Sequence, residues 1–183
     1  MDTERLIRLI RKTSGLMEPD PTGEQPLLPH LPGIRAVVFD VYGTLFISGS
    51  GDISLARQED RSPAVRTALE ASGYRVLKPE APWAQALLET IEGHRSRRAA
   101  EGIAHPEVRI EEVWADLLDS ARNNGWLSGE GDPHELAVRY EGTVNPVWPM
   151  PGAQTVLETL QASGQTLGIV SNAQFFTPLL FPA

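Results

Sequence analysis

The chain of 183 residues contains no cysteine. This absence excludes disulfide bonds, catalysis by a thiolate and metal sites built from thiolates. The histidines are few and show no metal-ligand spacing; they are His30, His94, His105 and His134. The N-terminus also lacks the apolar segment of a secretory signal and the acid-poor character of a transit peptide. We therefore expect a cytoplasmic protein.

Long apolar runs and an excess of basic residues are also missing. A membrane-spanning helix needs about 20 apolar residues, whereas the apolar segment 175–181 is short and is broken by Pro178. The net charge of −8 disfavours nucleic acid as a partner, because phosphate binding requires a basic surface. The predicted partner is a small-molecule substrate, with neither nucleic acid nor a membrane.

Ionisable side chains are absent from the last 12 residues, those that follow Ser171. The same stretch is rich in Phe and Leu. An exposed apolar C-terminus is typical of an association surface, so we expect self-association through residues 175–181.

Residues 1–33 are predicted to form a helix and a proline-rich linker. Between residues 3 and 14, apolar side chains recur at the spacing of one helix face, with basic residues elsewhere. Five prolines between residues 19 and 32 then favour an extended segment that cannot be helical.

Two short apolar runs, residues 34–39 and 166–170, are predicted to be buried strands of a parallel sheet that is covered on both faces. The expected fold class is α/β, with a Rossmann-like parallel sheet. Residues 34–53 and 146–183 would form this core, which is incomplete because it has only two recognisable strands. Residues 54–145 would be an all-helical insert after the first strand.

Helices in and after the insert are predicted from apolar spacing and caps. Ser62 is a candidate N-cap followed by proline, and Gly73 suits the C-terminal end. Residues 132–135 form a candidate capping box. The predicted helices span residues 62–73, 82–100, 108–122, 132–141 and 151–164.

The sequence VVFDVYGTL at residues 37–45 places Asp40 at the end of the first predicted strand. Ser171 and Asn172 follow the second predicted strand. Ligands of an open parallel sheet bind outside the carboxyl ends of its strands, so these side chains are expected to meet. A carboxylate there can act as a nucleophile or hold a metal ion. The alternative is that these three residues only stabilise turns.

The order FDVYGTL, helical insert, Pro-Gly before a helix, and IVSN resembles the haloacid dehalogenase superfamily of hydrolases, from about residue 34 to residue 174. The resemblance implies that Asp40 attacks the substrate and forms a covalent ester, and that backbone N–H groups of residues 41–44 stabilise negative charge. It also implies that the helical insert is a cap over the active site. The substrate-binding residues would be Tyr42, Gly43, Thr44, Ser171 and Asn172.

Tyr42 decides which chemistry the resemblance favours. Phosphatases of the family usually carry a second Asp at this position, which protonates the leaving oxygen and then acts as the base that activates water. A phenol with a pKa of about 10 is a poor base at neutral pH, whereas a halide leaving group needs no proton. The family's haloacid dehalogenases carry Tyr here and Ser-Asn in the second motif.

Two substrate classes therefore stay open. One is a 2-haloacid, which requires no cofactor; the other is a small phosphate ester, with Mg²⁺ held by Asp40 and the carbonyl of Tyr42. The dehalogenase chemistry would also need an arginine that receives the halide, and no motif selects one. The candidates are Arg57, Arg61 and Arg66.

The family's later motifs supply a lysine and one or two acidic residues. The last lysine here is Lys78, and nothing after Ser171 is ionisable. We therefore expect the chain to be a fragment of a longer hydrolase, with little or no turnover of its own. The alternative is a catalytically inactive product that acts as a binding or regulatory module.

Overall fold

The computed structural model describes residues 2–49 and 60–183. The elements within these ranges are α1 (Thr3–Thr13), β1 (Ala36–Phe39), β2 (Phe46–Ser48), α2 (Ser62–Ala71), β3 (Arg75–Val76), α3 (Trp83–Ala100), α4 (Ile110–Asn123), β4 (Leu127–Ser128), α5 (Pro133–Val144), β5 (Val147–Pro149), α6 (Ala153–Ala162), β6 (Thr166–Ile169) and a 3-10 helix (Thr177–Leu180). No helix in the described ranges combines the length and the apolar character that a membrane crossing needs.

A parallel pair of strands, β1 and β6, forms the small sheet that carries the candidate site. The pair runs in register from Ala36 opposite Thr166 to Phe39 opposite Ile169. Helix α6 leads into β6 and packs against it. The predicted α/β class and the parallel pairing are therefore confirmed.

The prediction that this sheet is covered on both faces is wrong for the described residues. Side chains along β1 and β6 are at most half-buried. Val38 of β1 is 62% exposed, and Val170, the residue after β6, is 73% exposed. Helix α6 has no buried side chain. A pair of four-residue strands is too narrow to bury its own surface, so its apolar side chains would need further layers to cover them.

Two short antiparallel pairs were not predicted. Strand β2 pairs with β5 where the chain leaves and re-enters the core, and β3 pairs with β4 inside the insert. The insert is therefore not purely helical. Strands of two or three residues are too short to show an alternating pattern, which is why the sequence does not reveal them.

Helices α2 to α5 share one hydrophobic cluster, as their apolar spacing predicts. Trp83 and Trp114 are fully buried in it, with Val65, Leu69 and Leu117 around them. The predicted helices agree with the structure to within three residues at each end. Burial of these apolar faces, rather than helix propensity alone, holds the helices together.

Two predicted helix caps are corrected by the structure. The N-cap of α2 is Arg61, and the Ser62 hydroxyl instead accepts a hydrogen bond from Ala84 N–H (3.2 Å) at the start of α3. Asp132 caps α5 as predicted and accepts from His134 N–H (2.9 Å), but Glu135 does not complete the capping box. Its carboxylate pairs with the guanidinium groups of Arg139 and Arg5.

Helix α1 forms where it was predicted and packs on α5 and on the 3-10 helix. Its apolar residues Leu6, Leu9 and Ile10 belong to a second cluster, together with Phe176 and Leu180 of the C-terminal segment. Phe176, Thr177 and Leu180 are therefore covered, whereas Pro178 and Phe181 of the same segment are exposed, Phe181 at 43%. The predicted self-association through this segment stays a prediction.

Candidate active site

Asp40 and Ser171 leave the sheet at the same edge. Val170 N–H donates to Phe39 O (2.9 Å), which extends the β1–β6 pairing by one step beyond the strands. The next residues in each chain segment are Asp40 and Ser171. The carboxyl ends of both strands thus present these residues side by side, as expected for a parallel pair.

The Asp40 carboxylate is exposed and makes no hydrogen bond or ion pair with any other described residue. Asn172 is also exposed, Ser171 is half-buried, and neither side chain is bonded within residues 2–49 and 60–183. The interpretation of these residues as turn stabilisers receives no support from their contacts. Their polar atoms are free to face a ligand.

The loop after Asp40 is a tight turn centred on the carbonyl of Val41. This oxygen accepts from the N–H groups of Thr44, Leu45 and Phe46 at 3.3, 2.9 and 2.9 Å. Gly43 N–H donates to Phe46 O at 2.7 Å. Gly43 has φ +74, a left-handed conformation that favours glycine.

This turn decides which backbone groups can bind an anion. The N–H groups of Gly43 and Thr44 are used inside it, whereas those of Val41 and Tyr42 make no hydrogen bond within the described residues. Of the backbone N–H groups of residues 41–44 that were expected to bind an anion, those of Val41 and Tyr42 therefore remain available. The Thr44 side chain is exposed in the same turn.

Tyr42 is half-buried and lines a small cavity. Its hydroxyl lies 2.9 Å from the Thr177 hydroxyl, across the loops that follow the two strands. Burial raises the pKa of Tyr42 above its ordinary value, the bond to Thr177 partly opposes this, and the charge of Glu141 adds to it. The phenol is therefore neutral at neutral pH and is a weaker proton donor than an exposed tyrosine.

A small cavity of about 30 Å³ lies behind Tyr42, between α1, α5 and the 3-10 helix. Asp40 does not line it. The volume is enough for one water molecule rather than a substrate. The cavity is therefore separate from the edge of the sheet that carries Asp40.

Glu141 is the half-buried carboxylate that lines this cavity, and the sequence did not single it out. Burial raises its pKa, while a hydrogen bond from Asn145 Nδ2 (2.9 Å) and the charge of Arg61 lower it. In the sequence, Glu141 follows the apolar Val138 by three residues, a spacing that places both on one face of α5, and Val138 is buried.

The candidate halide-binding arginines are engaged elsewhere or lie outside the described residues. The charge of Arg61 lowers the pKa of both Tyr140 and Glu141, so its guanidinium lies near these two side chains. Arg66 Nη1 donates to Pro79 O (3.1 Å). Arg57 falls in residues 50–59, which the structure does not describe. Neither of the two described arginines pairs with Asp40.

The described residues offer a metal ion one carboxylate at this edge, that of Asp40. No group of three or more His, Asp or Glu side chains in residues 2–49 and 60–183 is placed to hold a metal. This donor set fits a loosely held Mg²⁺, which takes one or two carboxylates and completes its shell with water and substrate oxygens. It does not fit an all-protein metal cage.

Gln174 and Thr177 are further polar residues near the site that the sequence did not reveal. Both follow the Ser-Asn motif, and both side chains are hydrogen-bonded to other segments. Short polar residues after a strand are typical of turns. Their long-range partners are visible only in the folded chain.

A family model described as haloacid dehalogenase-like hydrolase matches residues 34–178. The match covers both strands of the parallel pair, the helices between them and both loops of the candidate site. Comparisons with curated proteins and with solved structures each found no match. The motif around Asp40, its place at the carboxyl edge of the parallel pair and the extent of the family match lead to one conclusion: the chain belongs to the haloacid dehalogenase-like hydrolases.

Proposed function

We propose that the protein hydrolyses a small anionic substrate through a covalent intermediate on Asp40, and that the substrate is a 2-haloacid. The observation that carries this proposal is the Asp40 carboxylate, exposed and unpaired among the described residues, at the sheet edge that it shares with Ser171. A nucleophile must be reachable by the substrate and must not be held in another ion pair.

The reaction would proceed in two steps. An oxygen of the Asp40 carboxylate attacks the halogen-bearing carbon, the carbon–halogen bond breaks, and the halide leaves with the bonding electrons. Water then attacks the carboxyl carbon of the resulting ester, which releases a 2-hydroxy acid and a proton and restores Asp40. The N–H groups of Val41 and Tyr42, with Ser171 and Asn172, would bind the negative charge of the substrate.

Tyr42 supports a halide as the leaving group. Its hydroxyl is bonded to Thr177, and burial keeps it neutral. No second acid is hydrogen-bonded to Asp40 within the described residues. An alkoxide leaving group needs a proton from such an acid, whereas a halide leaves without one.

The second candidate substrate is a small phosphate ester, because the oxygen donors at the site also suit Mg²⁺. Asp40 and the carbonyl of Tyr42 would hold Mg²⁺, with Thr44, Ser171 and Asn172 donating to phosphoryl oxygens. The ion would neutralise charge on the phosphoryl group. The open position of Asp40 leaves room for the water and substrate ligands that Mg²⁺ requires.

We also propose that residues 54–145 form a cap over the carboxyl edge of a Rossmann-like core, and that the protein works in the cytoplasm. The common hydrophobic cluster of α2 to α5 supports a separate helical unit. The absence of cysteine is in keeping with a reducing compartment.

A substrate panel on the intact protein, with and without Mg²⁺, separates the two candidates. We expect halide release from 2-haloacids that does not depend on the metal. Release of phosphate only with Mg²⁺ would favour the second candidate. Activity on neither class would reject both substrates and favour the alternative, a catalytically inactive binding or regulatory module.

Replacing the nucleophile is the direct test of Asp40. Asp40→Asn should lower kcat by about 10⁴-fold or more, the scale of loss when a catalytic unit loses its nucleophile. Asp20→Asn, at an exposed position in the linker, is the matched control and should keep full activity. Unchanged turnover in Asp40→Asn would contradict the nucleophile role.

Isotope transfer distinguishes covalent catalysis from direct attack by water on a 2-haloacid. In a single turnover in H₂¹⁸O, the covalent route leaves the label in the peptide that contains Asp40 and yields an unlabelled hydroxyl group. Direct attack would put the label in the product instead.

A further inference from the structure

Thr177 connects the two loops of the candidate site. Its side chain is buried, its hydroxyl lies 2.9 Å from that of Tyr42, and it accepts a hydrogen bond from Gln174 N–H at 3.2 Å. Tyr42 is two residues after Asp40, and Gln174 is three residues after Ser171. One buried hydroxyl thus joins the loop of the nucleophile to the loop of Ser171 and Asn172.

The Gln174 side chain connects the second loop to the helical unit. Its Oε1 accepts from Ile110 N–H at 3.1 Å, and its Nε2 donates to Val108 O at 3.2 Å. Ile110 is the first residue of α4, where backbone N–H groups have no partner inside the helix. The amide therefore takes the place of a cap and fastens the start of α4 to the loop.

Packing around these bonds limits their movement. The ring of Phe175 lies 5.0 Å from that of His134 on α5 and 5.2 Å from that of Phe176, both edge to face. Phe175 packs against both hydrophobic clusters. Close-packed interiors move between discrete arrangements rather than deforming smoothly.

We propose that Gln174 and Thr177 are positioning residues. They hold the Ser171–Asn172 loop in a fixed position relative to Asp40, and they link the position of this loop to that of the helical unit. The inference rests on the proposed function, because the position of the loop affects a rate only if Asp40 attacks a bound substrate. A nucleophile and a substrate site on separate loops need such a link, since a misplacement of about 1 Å can lower a rate by about 10²-fold.

The first test removes the bond between Tyr42 and Thr177 from either side. Thr177→Val and Tyr42→Phe should each lower kcat by roughly 10- to 100-fold with little change in KM. The double variant should be no worse than the more impaired single variant, because both substitutions remove the same bond. Thr177→Ser should restore most of kcat, and Thr67→Val on the exposed face of α2 should match the unaltered protein.

The second test measures the link without turnover. Amide hydrogen exchange should speed up in residues 41–46 and in residues 171–173 together in Thr177→Val. In Gln174→Ala it should speed up in residues 171–173 and at the start of α4. An exchange change confined to the loop that carries the substitution would overturn the proposed link.

Three kinetic results would also overturn it: an unchanged kcat with only a lower melting temperature, a change in KM alone, or single-variant losses that multiply in the double variant. Failure of the proposed function has a different signature. In that case Asp40→Asn keeps its turnover, while the exchange experiment still reports whether the two loops are linked.

Discussion

At the scale of single residues, the carboxylates of Asp40 and Glu141 have different surroundings. Asp40 is exposed and without a partner among the described residues, whereas Glu141 is half-buried and close to Tyr42 and Arg61. Burial favours the protonated form of a carboxyl group. Glu141 is therefore a group whose ionisation state affects folding rather than one that is free to attack a substrate.

The pH dependence of stability should report on Glu141. Because its pKa is raised in the folded protein, its favourable contribution is complete below the pKa of the unfolded chain and is lost as pH rises through the folded value. Glu141→Gln cannot ionise and keeps an oxygen for Asn145. The unfolding free energy of the unaltered protein should therefore fall relative to that of Glu141→Gln as pH rises from about 4.5.

Urea denaturation across this pH range provides the measurement. Glu80→Gln, at an exposed position, is the control and should follow the curve of the unaltered protein. A constant difference between the unaltered protein and Glu141→Gln at every pH would show that Glu141 does not titrate with a raised pKa.

At the scale of elements, helices were predicted well and short strands poorly. Helix α4 has an uninterrupted apolar stripe over three turns, so its pattern is visible in its own residues. Strands β3 and β4 have two residues each and exist because they pair with each other. The N-cap prediction for α2 was wrong for the same reason, because the hydrogen-bond partner of Ser62 lies in another element: Ser62 bonds to α3 and not to its own helix.

The cap of α5 offers a test at this scale. Asp132→Ala removes the carboxylate that accepts from His134 N–H and should lower the unfolding free energy by about 1 kcal/mol. Asp20→Ala in the exposed linker should change it by less than about 0.5 kcal/mol. An Asp132→Ala variant as stable as the control would show that the cap contributes nothing to the folded state.

At the scale of the whole molecule, α1 is part of the core rather than a separate arm. It packs on α5 and on the 3-10 helix, and its second cluster includes Val41, Leu45 and Phe46 of the loop after Asp40. Arg11 also donates from its guanidinium to the carbonyls of Pro182 and Ala183. The two ends of the chain therefore support the back of the candidate site.

Truncation of a buried α1 side chain should destabilise the molecule. Leu6→Ala is expected to lower the unfolding free energy by about 2–5 kcal/mol, because it leaves a cavity in the second cluster. Leu16→Ala, at a side chain that is 78% exposed, is the control and should have little effect. Equal stabilities of the two variants in urea denaturation would show that α1 is not docked in solution.

The exposed apolar residues of the molecule make a further prediction at this scale. Val170 is more exposed than Phe181, so self-association should depend more on the sheet than on the C-terminus. In sedimentation velocity, Val170→Lys should reduce association more than Phe181→Ser does. A larger effect of Phe181→Ser would favour the C-terminal surface that the sequence suggests.

The amino-acid sequence by itself determined the family, the parallel strands, the long helices and the position of Asp40 after a strand. These features are encoded locally, in apolar spacing and in the order of a short motif. Only the tertiary structure decided that the sheet stays open in the described part of the chain, that Glu141 is half-buried with a raised pKa, and that Gln174 and Thr177 connect the loops. The partners of those residues lie far away in the chain, so their burial and bonding arise only when distant segments pack together.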